Sequence, residues 1–250
     1  EVPPGHRSLN DRLYLNDGKG TFSDAPFASL PGNSESGSVV AAADYDRDGF
    51  PDLAIAALGQ PPILLRNDAG RGFRNVSVKL ELDDPRQPRR LNNFLAGWID
   101  YDNDGFPDLL LGTKLYRNVS GQRFVDVTAS SGLTFAPECM GCIVADYDAD
   151  GRLDLYVLYQ KPFGKRVRPE PRPQWVDDTG SGNQNQLWHN EGNGRFRDVT
   201  RPAGAGGGDR HTHAAAWFFH DDDHFPDLYL ANDFGRNVVL RNRGDGSFED

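Results

Sequence analysis

Short apolar stretches alternate along the chain with turns built from Gly, Asp and Asn, and no segment keeps an apolar period of 3.6 residues. Val39–Ala43 and Leu53–Ala57 flank one acidic loop and predict a hairpin. Leu115–Arg117 and Arg123–Val127 flank a Gly-containing turn and predict another. Both patterns recur. "DYDRDGFPDLAIA" begins at Asp44, "DYDNDGFPDLLLG" at Asp100, "DYDADGRLDLYVL" at Asp146, and a fourth copy, "FHDDDHFPDLYLA", at Phe219. Between them lie "LYLNDGKGTFSD", "LLRNDAGRGFRN", "LYRNVSGQRFVD", "LWHNEGNGRFRD" and "VLRNRGDGSFED". In these copies Asn16, Asn67, Asn118, Asn190 and Asn242 are each followed six residues later by a Phe, and the Asn anchors lie 51, 51, 72 and 52 residues apart. A fixed period of this length signals a repeat architecture. Two hairpins per period make four antiparallel strands, which is one blade of a β-propeller. A helical solenoid is disfavoured because Gly sits where helices need Ala or Leu. The expected fold is all-β, one domain over residues 1–250, with about four and a half repeats visible.

The third period is longer than the first by 21 residues. Its excess, residues 161–184, is rich in Pro, Arg, Lys and Gly and predicts an insertion projecting from a blade edge. Its basic first half suits a docking partner, or it is a solvated insertion. Composition agrees with many short strands and tight turns: 28 Gly, 17 Pro and 37% hydrophobic residues. A net charge of −10 argues against nucleic acid as a partner. No apolar run approaches the length of a transmembrane helix, and "EVPPGHRSLN" is no signal peptide, so an exported chain would have lost its leader already.

The acidic loops pose an electrostatic problem. Two carboxylates about 5 Å apart at an effective dielectric of roughly 20 repel by about 3 kcal/mol. A D-x-D-x-D-G loop solves this if its first, third and fifth side chains converge on calcium, a hard cation that takes six to eight oxygens. Gly at the sixth position turns the chain back, the seventh offers a backbone carbonyl, and the Asp at the ninth closes the shell. One site is then Asp44, Asp46, Asp48, the Phe50 carbonyl and Asp52. A second is Asp100, Asp102, Asp104, the Phe106 carbonyl and Asp108. A third is Asp146, Asp148, Asp150, the Arg152 carbonyl and Asp154. Asp also favours solvated turns, but three complete copies at matched register favour an ion, so about three calcium ions are expected. In the fourth loop Phe219 replaces the first Asp and His224 the Gly, leaving Asp221, Asp223 and Asp227 as a weak or empty site. His tolerates the turn's backbone conformation on this reading. A closed carboxylate shell leaves little room for substrate, so the ions are expected to pin hairpins.

"DYDNDGFPDL" followed by "LYRNxxGxxFxDVT" resembles the FG-GAP-like, or VCBS, repeat, especially the proteins that join such repeats to an ASPIC/UnbV domain, the cartilage acidic protein group among them. The resemblance implies a calcium-binding propeller, commonly seven-bladed as in integrin α heads, and an exported, cell-surface or periplasmic location. It also implies adhesion, ligand binding or a scaffold role more often than catalysis. With only four acidic loops, the chain reads as part of a seven-bladed ring, completed by the remainder of a longer chain or by a protein partner; a closed four-bladed ring is the alternative.

Four segments precede the first strand of each blade: "NSESGS", "RLNNF", "APECM" and "RHTH". Such segments gather near a channel mouth, so Glu138, Cys139, Met140, His211 and His213 are a candidate site. His211 and His213, two residues apart, would share one face of an extended strand, and with Cys and Met nearby would suit copper or zinc. Against this, Cys139 and Cys142 suit a disulfide or packed thiols, and the histidines suit ordinary loops. Trp98 and Trp217 share a repeat position and predict core packing, while Trp175 lies free in the insertion. Asn75 and Asn118 begin N-V-S sequons, but Asn118 is also a repeat anchor. No nucleophile elbow or phosphate loop is present. The expected function is a calcium-stabilised interaction or assembly module. The alternatives are a glycan-binding propeller and a transition-metal enzyme at the channel mouth.

Overall fold

The structure, a computed structural model, describes residues 13–25, 38–57, 62–80, 82, 95–136, 139–160, 184–208, 210–233 and 236–250. Glu138, Trp175 and insertion residues 161–183 lie outside the described residues. The protein is all-β. A two-stranded hairpin, β1 (Tyr14–Asn16) and β2 (Phe22–Asp24), precedes four four-stranded antiparallel sheets. Blade one is β3 (Ser38–Ala43), β4 (Asp52–Ala57), β5 (Ile63–Asn67) and β6 (Phe73–Asn75). Blade two is β7 (Ala96–Ile99), β8 (Asp108–Leu111), β9 (Lys114–Val119) and β10 (Arg123–Asp126), followed by the single-turn helix α1 (Thr128–Ser131). Blade three is β11 (Cys139–Ala145), β12 (Asp154–Tyr159), β13 (Gln186–Gly192) and β14 (Arg195–Asp198). Blade four is β15 (Thr212–Phe218), β16 (Asp227–Asn232), β17 (Val238–Asn242) and β18 (Phe248–Glu249). In every blade the strands pair in sequence order, so each is a meander of two predicted hairpins.

Period-2 alternation gives each blade two apolar faces, and successive blades bury them against each other. Ala54, Ala56 and Leu64 of blade one meet Leu109, Leu111, Tyr116 and Phe124 of blade two. Leu110, Leu115 and Ile99, on the opposite face of blade two, meet Leu155, Val157 and Trp188 of blade three. Tyr156, Leu158 and Leu187 then meet Leu228, Leu230, Val238 and Leu240. Each fully buried Leu contributes roughly 1.5–3 kcal/mol. Trp98 and Trp217 lie against these layers, Trp98 stacked parallel to Tyr45 with ring centroids 6.3 Å apart and Trp217 edge-on to Tyr156.

Three hydrogen-bonded devices, each written into the repeat, position the acidic loops. The ninth loop residue opens the second strand and is buried: Asp52, Asp108, Asp154 and Asp227. Its two oxygens accept backbone N–H groups from the loop and from the third strand. For Asp108 these are Tyr101 N at 3.1 Å and Asn118 N at 2.7 Å. The repeat Asn then locks one blade to the one before. Asn118 Nδ2 donates to Pro107 O and to Tyr45 O in the acidic loop of blade one. Asn190 reaches Tyr101 O and Asn242 reaches Tyr147 O in the same way. The Thr of D-V-T clamps the third strand: Thr128 Oγ1 accepts Leu115 N, and Thr200 Oγ1 accepts Leu187 N. Full burial of Asn118 removes it from any glycosylation of the folded chain, whereas Asn75 is exposed.

A shared irregularity changes the expected channel-mouth geometry. Strands β11 and β15 both carry a β-bulge, at Met140 and at His213, where one extra residue breaks the pairing register. A bulge reverses the side-chain alternation across it. His211 and His213 therefore do not share a face, contrary to their spacing: His211 is buried and His213 exposed.

Candidate metal centres in the acidic loops

Each of the first three loops closes a strand pair whose last register partners are Ala43↔Asp52, Ile99↔Asp108 and Ala145↔Asp154. The first Asp organises the turn by accepting backbone N–H groups across it. Asp44 takes Asp48 N and Gly49 N, and Asp146 takes Asp150 N and Gly151 N. Two residues per loop adopt the left-handed region: Arg47 and Gly49, Asn103 and Gly105, Ala149 and Gly151, with φ between 55° and 90°. For the non-glycine members this conformation costs roughly 1–2 kcal/mol, yet all three loops keep it.

This turn gathers carboxylates. One oxygen from each of Asp44, Asp46 and Asp48 lies within 4.8 Å of the others, and the same holds for Asp100, Asp102 and Asp108 and for Asp146, Asp148 and Asp150. Asp52 and Asp104 fall outside those groups, Asp104 being held toward Arg117. Oxygens Asp46 Oδ1, Asp100 Oδ1, Asp102 Oδ1 and Asp148 Oδ1 are buried without a hydrogen-bond partner. A buried acceptor in that condition costs about 1–3 kcal/mol, more when charged, and a coordinated cation removes the cost. The donor set is all oxygen and fits a hard divalent ion.

The ninth-position Asp does more than the sequence suggests. It has the same two backbone partners in blade four, where Asp227 accepts His220 N and Asn242 N, so its first role is to staple strands. The fourth loop otherwise departs from the other three. Among the described residues neither Asp222 nor His224 has a positive φ, so His224 does not reproduce the turn, and Asp221, Asp223 and Asp227 form no convergent group. Without the first Asp, the fifth-position N–H of Asp223 is taken instead by Asp221 Oδ1, and Asp223 Oδ1 accepts Phe225 N.

Sequence reasoning missed the residue just before each repeat Asn. Arg66 Nε lies 2.6 Å from Asp46 and its Nη2 2.9 Å from Asp48. Arg117 reaches Asp102 at 2.7 Å, and Arg241 reaches Asp221 at 2.9 Å. In blade three the same position is His189, against Asp148, Asp150 and Asp154. The signal was present in "LLRN", "LYRN", "LWHN" and "VLRN". Alternation puts this residue and the acidic loop on one side of the sheet.

Burial pushes the Asp52 carboxyl up to about 6, Asp154 to about 7 and Asp108 to about 8, against the downward pull of their backbone N–H partners. Without a cation, the folded chain thus holds protons that the unfolded chain releases near pH 4. Stability of the chelated protein is expected to fall as pH rises from about 4 to about 8. A cation favours the ionised carboxyls and should flatten that slope. Melting curves at several pH values, with chelator and with calcium, read this directly; identical slopes would contradict it.

The channel-mouth residues do not assemble. Cys139 packs into the layer between blades two and three with Cys142 beside it, whereas Met140 packs into the layer between blades three and four. Both cysteines are free, and burial pushes the Cys139 thiol up to about 12 and the Cys142 thiol higher still. Among the described residues no metal-binding group includes Cys139, His211 or His213.

The FG-GAP-like repeat family matches residues 6–55 and 100–157, which span the first three acidic loops. Those two segments carry FG-GAP-like repeats. The chain is 30% identical over 165 residues to cartilage acidic protein 1 of Mus musculus, covering 59% of this chain and 24% of the relative. It is 28% identical over 109 residues to integrin alpha-3 of Cricetulus griseus, covering 40% of this chain and 10% of the relative. The chain thus spans less than a quarter of these curated relatives. Among solved structures, an Agrocybe aegerita lectin that recognises non-reducing terminal N-acetylglucosamine superposes with a TM-score of 0.54 at 17% identity, over 96% of this chain and 59% of the lectin. That likeness establishes the blade architecture. Among the described residues, no helix is long and apolar enough to cross a membrane.

Proposed function

We propose that this chain is a calcium-stabilised propeller module of an exported or cell-surface protein, and that it works by binding other protein. The observation that carries the calcium reading is the convergence of three all-oxygen carboxylate groups around buried, unpartnered oxygens. The carbonyls of Phe50, Phe106 and Arg152 complete the shells on this reading. The ions do no chemistry on a substrate; they hold the hairpin that presents each inner strand. Elemental mass spectrometry of dialysed protein should find about three calcium ions per chain, and fewer than one would sink the reading.

Blade four presents the face on which a further blade of the repeat would pack. Leu115 and Leu187 are fully buried against the next blade, as are Leu110 and Tyr156. Their register equivalents in blade four, Val239 and Tyr229, are 42% and 37% exposed. The occupant that matches this face is another blade of the same repeat, whose Asn amide would reach the His220 carbonyl as Asn242 reaches Tyr147. Sedimentation of the isolated chain should show self-association that Val239→Lys removes without changing the melt. A chain that stays monomeric at every concentration would exclude a second copy as that occupant.

A further inference from the structure

We propose that the third acidic loop holds a second, inner cation position selective for a borderline transition ion of the zinc type, formed by Asp148, Asp154 and His189. It builds on the calcium reading of the loops but does not require it.

Blades one, two and four place an arginine over the acidic loop. A guanidinium stays protonated and has no lone pair to offer, so it can neutralise the loop but never ligate. Blade three substitutes His189, whose neutral imidazole is a nitrogen ligand. His189 Nδ1 lies 3.3 Å from Asp148 Oδ2 and 3.3 Å from Asp154 Oδ1. Adjacent ligands around a tetrahedral ion with bonds of about 2.0 Å are about 3.3 Å apart, so these separations already match such a shell. A calcium shell, with bonds of about 2.4 Å and more ligands, wants oxygen instead.

The surroundings support the assignment. The His189 side chain is 14% exposed and Asp154 is fully buried. His189 Nδ1 and Asp148 Oδ1 are both buried without a hydrogen-bond partner. The His189 ring makes a T-shaped contact with Tyr147, with centroids 6.2 Å apart and planes at 87°. Asp154 is oriented by the N–H groups of Asn190 and Tyr147. Arg152 stands where the other two complete loops carry Phe; it pairs with Asp150 and donates to Asn190 O. That draws one carboxylate of the oxygen-only set toward a permanent cation and leaves Asp148 and Asp154 to the imidazole. Because Asp148 belongs to both groups, the inner and outer positions compete for its carboxylate. Zinc should therefore displace one calcium ion from the chain and leave the other two.

The test is calorimetric titration of the chain with zinc chloride in calcium buffer, alongside His189→Arg, which installs the residue the other blades carry. The wild type should take up one zinc with release of one calcium, and Co²⁺ in its place should give the strong visible absorption of a four-coordinate ion. In His189→Arg the affinity should fall roughly 100-fold and the cobalt band should vanish. His189→Gln, which keeps a polar side chain of similar length, serves if the arginine variant does not fold. Zinc binding unchanged in the variants, or absent from the wild type, would overturn the proposal. Calcium content measured without zinc reports on the calcium reading separately.

Discussion

Chelating calcium is expected to lower the melting temperature of this protein more than any single substitution. A site held at a hundredfold excess over its Kd contributes about 2.7 kcal/mol, so three sites contribute roughly 8 kcal/mol. That is comparable with the whole stability of a typical domain. At roughly 2–4 °C per kcal/mol for a chain of this size, the melt should drop by about 16–32 °C. The origin is electrostatic: removing the ion leaves three carboxylates within 4.8 Å in each of three loops. Arg66 and Arg117 soften the loss in the first two loops by lying across their acids. The double variant Asp100→Ala, Asp104→Ala should abolish about a third of the calcium-dependent shift. A melt indifferent to chelator, once calcium is shown to have left, would remove calcium from the account of this fold.

Asn118→Ala, like the same change at its equivalents Asn190 and Asn242, should be among the most damaging single changes outside the cation sites. Asn118 is fully buried, donates to Tyr45 O and Pro107 O, and accepts Gly121 N at 2.8 Å. Truncation removes three hydrogen bonds worth about 0.5–1.5 kcal/mol each and leaves those partners without it in the interior. A loss of about 4 kcal/mol follows, read as a lower urea midpoint. Asn67, at the same repeat position, is half-buried and donates to Pro51 O within its own blade; Asn67→Ala should cost only about 1 kcal/mol. Equal losses at the two positions would show that the bond between blades is not what makes the anchor matter.

Much of this was legible in the chain. The repeat period, the two hairpins per blade and the acidic register are periodic, and a local pattern repeated four times declares its geometry. Trp98 and Trp217 announced core positions by recurring. What escaped was non-periodic or lay across strands. The bulges at Met140 and His213 insert one residue without a composition signal, and they undid the shared face expected for His211 and His213. The helix α1 is one turn, too short for any period to reveal, and ends at Gly132 in the left-handed region. Arg66 and Asp46 are distant in sequence, and only the pairing of β4 with β5 brings that side chain over the loop.

The chain by itself determined the blade, because alternating apolar residues and a Gly-Asp turn leave a four-stranded meander as the one way to bury both faces. It determined as well that carboxylates crowd into three loops, since their spacing within each turn is local. Tertiary structure decided what those carboxylates meet. Pairing the second and third strands sets an arginine over two complete loops and a histidine over the third, and packing blade on blade drives Asp108 and Asp154 into the interior. Charge, donor type and burial at a site are properties of neighbours brought together by folding, and no single stretch of sequence contains them.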